Sequence, residues 1–203
     1  MEKEIEIELA ITSFCQAKCP SCARTESIKR NPGELKVQHV PFDKISKVVK
    51  NIPPQATVTL CGEFGDPMMH PDVVEIIEMF HDNGNVVMVH TNGGLRTPDV
   101  YKRLAQLKRV RFSFGIDGMD AETSSMYRKE VDWHRAWENM NTYFDECRKQ
   151  GRTGMAAGEW LFLIFDFNKH QIDQVFEYSQ EKLIHCQLRI NDRWYGYVGD
   201  DEY

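Results

Sequence analysis

The chain has no long apolar run. No stretch approaches the roughly 20 residues needed to span a bilayer. Its first residues, Met1-Glu-Lys-Glu-Ile-Glu-Ile-Glu8, contain no apolar segment of the secretory kind, so export is not expected and a cytoplasmic location is. Positive charge is not in excess either. Lys and Arg number 25 against 31 Asp and Glu, a net charge of −6. That balance argues against broad electrostatic binding to nucleic acid and leaves a local basic pocket open. No repeat, low-complexity stretch or linker interrupts the chain. Cysteine is not scarce, at six residues. In an unexported chain these are expected to be ligands or catalytic groups before disulfides. With 203 residues, 41 % of them apolar and 11 % aromatic, a disordered chain is excluded and a single domain over residues 1–203 is expected.

The pattern along the chain is alternation. Glu4 to Thr12 alternates charged and aliphatic residues with period 2, the mark of a strand. Phe42, Ile45, Val49 and Ile52 recur at helical spacing after Pro41. Thr57 to Leu60 reads as a second strand. Pro71 opens a helix with Val73, Ile76, Ile77 and Phe80 inward, ended by Gly84. Val86 to Val89 is a third strand, and Thr97-Pro98 starts the next helix. Val110 to Ile116 is a fourth strand, followed by a helical stripe of Trp133, Trp137, Met140, Phe144 and Cys147. Trp160 to Phe167 is a fifth strand. Ile172, Val175, Phe176 and Leu183 mark a helix, and Cys186 to Ile190 is a sixth strand. Strands that alternate with helices imply βαβ units and a parallel sheet. Right-handed crossovers leave an open doubly wound sheet or a curved partial barrel. In both, ligands sit at the carboxyl ends of the strands.

Directly after the first strand stands Cys15-Gln-Ala-Lys-Cys19-Pro-Ser-Cys22. Thiolates select zinc or iron–sulfur clusters. A closed zinc site wants four ligands, and no fourth Cys or His lies at a matching spacing. Three thiolates suit three irons of a [4Fe–4S] cube and leave the fourth iron without a protein ligand. A zinc knuckle completed by a distant fourth ligand stays open as the plainer reading.

The cysteine cluster resembles that of the radical S-adenosylmethionine (SAM) superfamily, and motifs at later strand ends are similar to that family's. Leu60-Cys61-Gly62-Glu63-Phe64-Gly65-Asp66-Pro67 resembles its glycine-rich loop for the SAM amino group. It differs by an extra residue between the glycines and by Asp66 where Glu is commoner. His90-Thr91-Asn92-Gly93-Gly94 resembles the TNG turn. Gly115-Ile116-Asp117-Gly118 resembles S-I-D-G, with Gly115 in the place of Ser. Phe165-Asp166-Phe167-Asn168 is similar to the fifth-strand end of the peptide-modifying and molybdopterin-type branch.

The resemblance implies a partial (β/α)6 TIM-like barrel of parallel strands, open laterally, with a [4Fe–4S] cluster held by Cys15, Cys19 and Cys22. In that family SAM chelates the open iron. Its reductive cleavage to a 5′-deoxyadenosyl radical removes a hydrogen from the substrate. The implied SAM contacts are Gly62, Glu63, Gly65, Asp66, Pro67, Thr91, Asn92, Ser113, Asp117 and Arg189. Ser113 and Asp117 share a strand parity that points both toward ribose hydroxyls. Gln187, Arg189 and Asn191 are expected to line the barrel, while Cys186, Leu188 and Ile190 face the helices. Arg189 is then a partner for a carboxylate of SAM or substrate. Many members carry an aromatic where this chain has Ser21. Cys61, Cys147 and Cys186 read as small apolar packing groups, so no auxiliary cluster is expected.

A peptide or protein side chain is the expected substrate. Alternatives are a nucleotide, tRNA base or small metabolite, and a non-catalytic metal-binding module. The expected partners also include an electron donor such as flavodoxin or ferredoxin, and no membrane.

Overall fold

The computed structural model describes residues 5–61 and 64–190. Its strands are β1 (Glu6–Leu9), β2 (Thr57–Leu60), β3 (Val86–Thr91), β4 (Val110–Gly115), β5 (Gly158–Ile164) and β6 (His185–Ile190). They pair in sequence order, every neighbour parallel. β1 and β6 are the two free edges, so the sheet is open. Yet Glu8 of β1 and Arg189 of β6 line one cavity, so the sheet curves round it. This is the α/β partial barrel that the sequence predicts.

The helices are α1 (Ala23–Arg30), α2 (Phe42–Val49), α3 (Val73–Asp82), α4 (Pro98–Ala105), α5 (Ala121–Tyr127), α6 (Trp133–Lys149) and α7 (Ile172–Glu181). The core lies between them and the outer face of the sheet. Val58, Leu60, Val87, Val89, Phe112, Phe114, Trp160 and Phe162 are fully buried from the strands. Ile76, Ile77 and Phe80 of α3, Leu104 of α4 and Met140 and Tyr143 of α6 meet them, equally buried. Each large side chain so buried stabilises the fold by about 1.5–3 kcal/mol. The Tyr143 hydroxyl lies 2.9 Å from the Val110 carbonyl and 3.0 Å from that of Ala157, where β4 and β5 begin.

Several expectations shift. α3 begins at Val73 and leaves Pro71 outside it. β5 begins at Gly158 and ends at Ile164, because the Asn168 side chain donates to the Leu163 carbonyl and accepts from the Phe165 N–H, turning the chain there. α1 and α5 have no counterpart in the sequence reading. Phe176 and Leu183, expected inward, are each 55 % exposed, and Phe42 is 39 % exposed. α7 flanks the edge strand, and among the described residues no further element covers its outer side. Leu188 and Ile190 of that edge strand are likewise 39 % and 82 % exposed. Asn191 lies outside the described residues.

Gly158 starts β5 with φ of +132°, and a Cβ there would fall 2.1 Å from the Phe112 carbonyl oxygen. Gly158→Ala is expected to destabilise the fold by about 3 kcal/mol or more, from backbone strain and forced separation of β4 and β5. Urea unfolding measures it. A loss below about 1 kcal/mol would contradict the close approach.

Candidate cofactor site

After β1 the chain is clamped before it reaches the cysteines. Thr12 bridges His39 antiparallel, and Ser13 N–H donates to the Gln38 carbonyl at 3.0 Å. The His39 ring stacks on Phe14 at 4.5 Å. Cys15, Cys19 and Cys22 then line one cavity of about 740 Å³. Cys22 N–H donates to the Cys19 carbonyl at 3.3 Å, with Ser21 between them at φ of 57°. That left-handed residue turns the chain sharply enough to present both sulfurs. Cys22 also stands at the N-cap position of α1. Burial pushes the Cys15 thiol up to about 12. Burial raises Cys19 as well, and Arg128 opposes it.

Asp66 ties three strand-end loops together. Its N–H donates to the Phe14 carbonyl at 2.8 Å, one residue before Cys15. Its carboxylate accepts from Met68 N–H (3.0 Å), Thr91 Oγ1 (3.0 Å), Asn92 N–H (2.9 Å) and Asn92 Nδ2 (2.6 Å). Burial raises this carboxyl, and the Asn92 and Met68 N–H groups, the Thr91 hydroxyl and the Arg128 charge oppose it. Asn92 Oδ1 in turn accepts from Gln16 Nε2 at 2.7 Å, and Asn92 Nδ2 stands 3.9 Å from the Cys15 sulfur. Gly65 permits the contact: a Cβ there would lie 2.3 Å from the Thr12 carbonyl oxygen. Pro67 opens a short 3₁₀ turn over Pro67–Met69. Gly62 and Glu63 lie outside the described residues.

Asp117 forms a second junction. It is fully buried and accepts from Arg128 Nε at 2.6 Å and from Leu163 N–H at 2.8 Å. Burial raises the Asp117 carboxyl, and Arg128 opposes that. Burial also works against the Arg128 charge, but Asp117 and Cys19 outweigh it and keep the guanidinium ionised. Asn168 donates to the Asp117 carbonyl at 3.0 Å, tying the end of β5 to the end of β4. Arg128 explains the glycine in Gly115-Ile-Asp-Gly: a Cβ at Gly115 would stand 2.6 Å from its Nη2.

Arg128 is the site residue that sequence reasoning missed. A lone arginine ending a short polar helix carries no spacing signal. Ser113 faces the cavity and donates to Glu159 Oε1 at 2.8 Å. Arg189 and His90 line the cavity as well, and so does Cys61, expected as a packing group. Cys147 is fully buried in the core, and Cys186 packs against it, as expected.

A family comparison decides what this arrangement belongs to. The sequence profile of the Radical SAM superfamily matches residues 9–157. The chain belongs to the radical SAM superfamily. A curated relative, the AdoMet-dependent heme synthase of Methanosarcina barkeri, is 32 % identical over 120 residues, 58 % of this chain and 32 % of that protein. The chain thus spans about a third of that relative's length. Streptococcus suis SuiB bound to S-adenosylmethionine matches the fold with a TM-score of 0.71 at 13 % identity, covering 96 % of this chain and 42 % of that one. The structure of anSMEcpe with AdoMet and the Cp18Cys peptide matches at 0.66 and 15 % identity, covering 93 % of this chain and 51 % of that one. At such identities these structures speak for the fold alone.

The cofactors of the superfamily are a [4Fe–4S] cluster and SAM, and the residues present fit the cluster. Three thiols of one loop rim a single cavity. Among the described residues no three His, Cys, Asp or Glu groups converge as a lone ion requires. A cube takes one thiolate per iron and does not ask for that convergence. The Asn92 amide beside Cys15 and Arg128 beside Cys19 provide donors to the sulfurs.

Arg128→Gln is expected to lower stability by about 3–5 kcal/mol, because it leaves the Asp117 charge buried without its partner. Chemical denaturation measures the loss. A variant within about 1 kcal/mol of wild type would show that the pair holds nothing in place.

Proposed function

We propose that residues 1–203 form one radical SAM core domain that modifies a peptide or protein side chain in the cytoplasm. A low-potential donor such as flavodoxin or ferredoxin supplies the electron. The observation that carries the reading is one cavity with three cysteines at its mouth and a polar strand face at its far side. When bound, the cluster and SAM supply a 5′-deoxyadenosyl radical able to take a hydrogen atom from a substrate.

The rest is the work of the protein's own groups. Cys15, Cys19 and Cys22 hold the metal cluster. The loop of Gly65, Asp66 and Pro67 offers backbone carbonyls to the SAM amino group, a role assigned by sequence to Gly62 and Glu63 as well. Thr91 and Asn92 act on that loop through Asp66. Asp117 orients Arg128, and Ser113 orients Glu159, so both act at one remove from the ribose. Arg189, at the mouth end of β6, faces a carboxylate of SAM or substrate. Such positioning is the protein's main contribution when a cofactor carries the chemistry.

The peptide reading draws support from the structural likeness to anSMEcpe, which was captured with a peptide. Likeness to the heme synthase, at higher sequence identity, favours a small metabolite as the second reading. No helix among the described residues is long and apolar enough to cross a membrane.

Anaerobic reconstitution of the wild type is expected to give a brown protein with about four irons and four sulfides per chain. It should release 5′-deoxyadenosine from SAM under reduction. Cys19→Ala is expected to lose the visible absorbance and to drop 5′-deoxyadenosine to background. Stoichiometric zinc without sulfide, or a fully loaded wild type that never cleaves SAM, would sink the enzymatic reading.

A further inference from the structure

The inner face of the sheet carries an ordered polar row. Strand register places His90 of β3 beside Ser113 of β4, Ser113 beside Glu159 of β5, and Glu159 beside His185 of β6. Neighbouring strands lie about 4.8 Å apart, so these side chains stand shoulder to shoulder across the barrel. The cavity that begins at the cysteines reaches His90, Ser113 and Glu8. That stretch of the cofactor cavity is therefore walled by an imidazole, a hydroxyl and the Glu8 carboxylate, with Glu159 bonded to the Ser113 hydroxyl next to it.

The hydrogen bonds of this row are incomplete. Ser113 is almost fully buried and gives its proton to Glu159 Oε1 at 2.8 Å. Among the described residues, that is the one protein donor to Glu159, and His90 has no hydrogen-bond partner. Burial lowers the His90 basicity below its ordinary value, while Glu159 and Glu8 pull it back up and Arg189 opposes them. Neutral His90 presents one acceptor nitrogen. Glu159 keeps a second oxygen, and Glu8 faces the row from the edge strand. The arginines of this face stand off the row: Arg111 is two residues before Ser113 on β4, and Arg189 pairs in register with Leu163 near the mouth. The row thus offers acceptors and negative charge, and the cation on the same cavity wall, Arg189, stands toward the mouth. Such a surface is satisfied by a ligand that brings donors and positive charge.

We infer that the row His90, Ser113 and Glu159, with Glu8 across the cavity, is the substrate subsite and takes an ammonium group, such as a lysine side chain or a peptide amino terminus. This rests on the radical SAM reading above and goes beyond it by naming the substrate chemistry. A carboxylate in the same place would face Glu159 and Glu8, and Arg189 near the mouth is better placed for a carboxylate there. A purely apolar side chain would cover the half-buried His90 and Glu159 and leave their hydrogen-bonding capacity unmet.

The test measures binding and does not depend on turnover. Reconstituted protein with SAM is titrated calorimetrically with three capped pentapeptides, Ala-Ala-Xaa-Ala-Ala, where Xaa is lysine, norleucine or glutamate. The lysine peptide is expected to bind about tenfold or more tightly than the other two, the size of one charge-assisted hydrogen bond. Glu159→Gln keeps the volume and the Ser113 bond but removes the charge, and should reduce the preference to about threefold or less. Glu8→Gln lies at an exposed position of the edge strand, so it decides the matter if the first variant fails to fold. It should lower the preference at least about twofold. Equal affinity for lysine and norleucine overturns the inference. So does a preference unchanged in either folded variant, or no binding of any peptide by protein that cleaves SAM. Protein that assembles no cluster and cleaves no SAM would instead fail the functional reading.

Discussion

The site depends on a single carboxylate. Asp66 sits after β2, yet its N–H holds the residue before Cys15, and its oxygens hold Thr91 and Asn92 at the end of β3. Three loops that are distant in sequence converge on one fully enclosed group. An anion buried that deeply is costly unless donors surround it, and here four do. The same bonds that make the carboxylate tolerable fix the cysteine loop relative to the TNG turn. Asp117 repeats the device on the other side, joining β4 to β5 and locking Arg128 beside Cys19. The cysteines themselves contribute little to their own placement. They ride on a loop whose geometry is set from both flanks.

This division of labour changes how motif residues read. Asp66, Thr91, Asn92 and Asp117 resemble ligand contacts in sequence, but their polar atoms are engaged by the protein. Ser113 likewise gives its proton to Glu159. The groups left with free hydrogen-bonding capacity toward the cavity are others, His90 and Glu8 among them, together with Arg189. Polar residues at strand ends therefore serve two purposes, and a motif does not separate them.

Much of the architecture was legible in the chain. The alternation in β2 and β3 and the helical stripes of α3 and α6 follow the periods that burial imposes, and Cys15, Cys19 and Cys22 declare their chemistry by spacing. α1 and α5 were not legible, because Ala-Arg-Thr-Glu-Ser-Ile-Lys-Arg and Ala-Glu-Thr-Ser-Ser-Met-Tyr carry no apolar stripe. Both are short and are held by the loops around them. Nor were the junctions legible. Asp66 and Asn92 are 26 residues apart, and nothing in either sequence neighbourhood names the other. Gly115 read as a departure from a motif. Its cause lies in Arg128, which the fold brings against it from the end of the next helix.

The openness of the sheet explains a further oddity of the sequence. Parallel strands are usually buried on both faces and read as continuous apolar runs. Here β1, β4 and β6 alternate, because only the outer face meets helices. A closed eight-stranded barrel packs its interior with layers of branched aliphatic side chains. Six strands with two free edges leave the interior wet, so Glu8, His90, Arg111, Glu159 and Gln187 can occupy it without being desolvated completely. The incomplete barrel and the polar lumen are thus one property. A sheet that closed on itself would have had to exchange those residues for valines and leucines, and with them the acceptors that face the cofactor cavity.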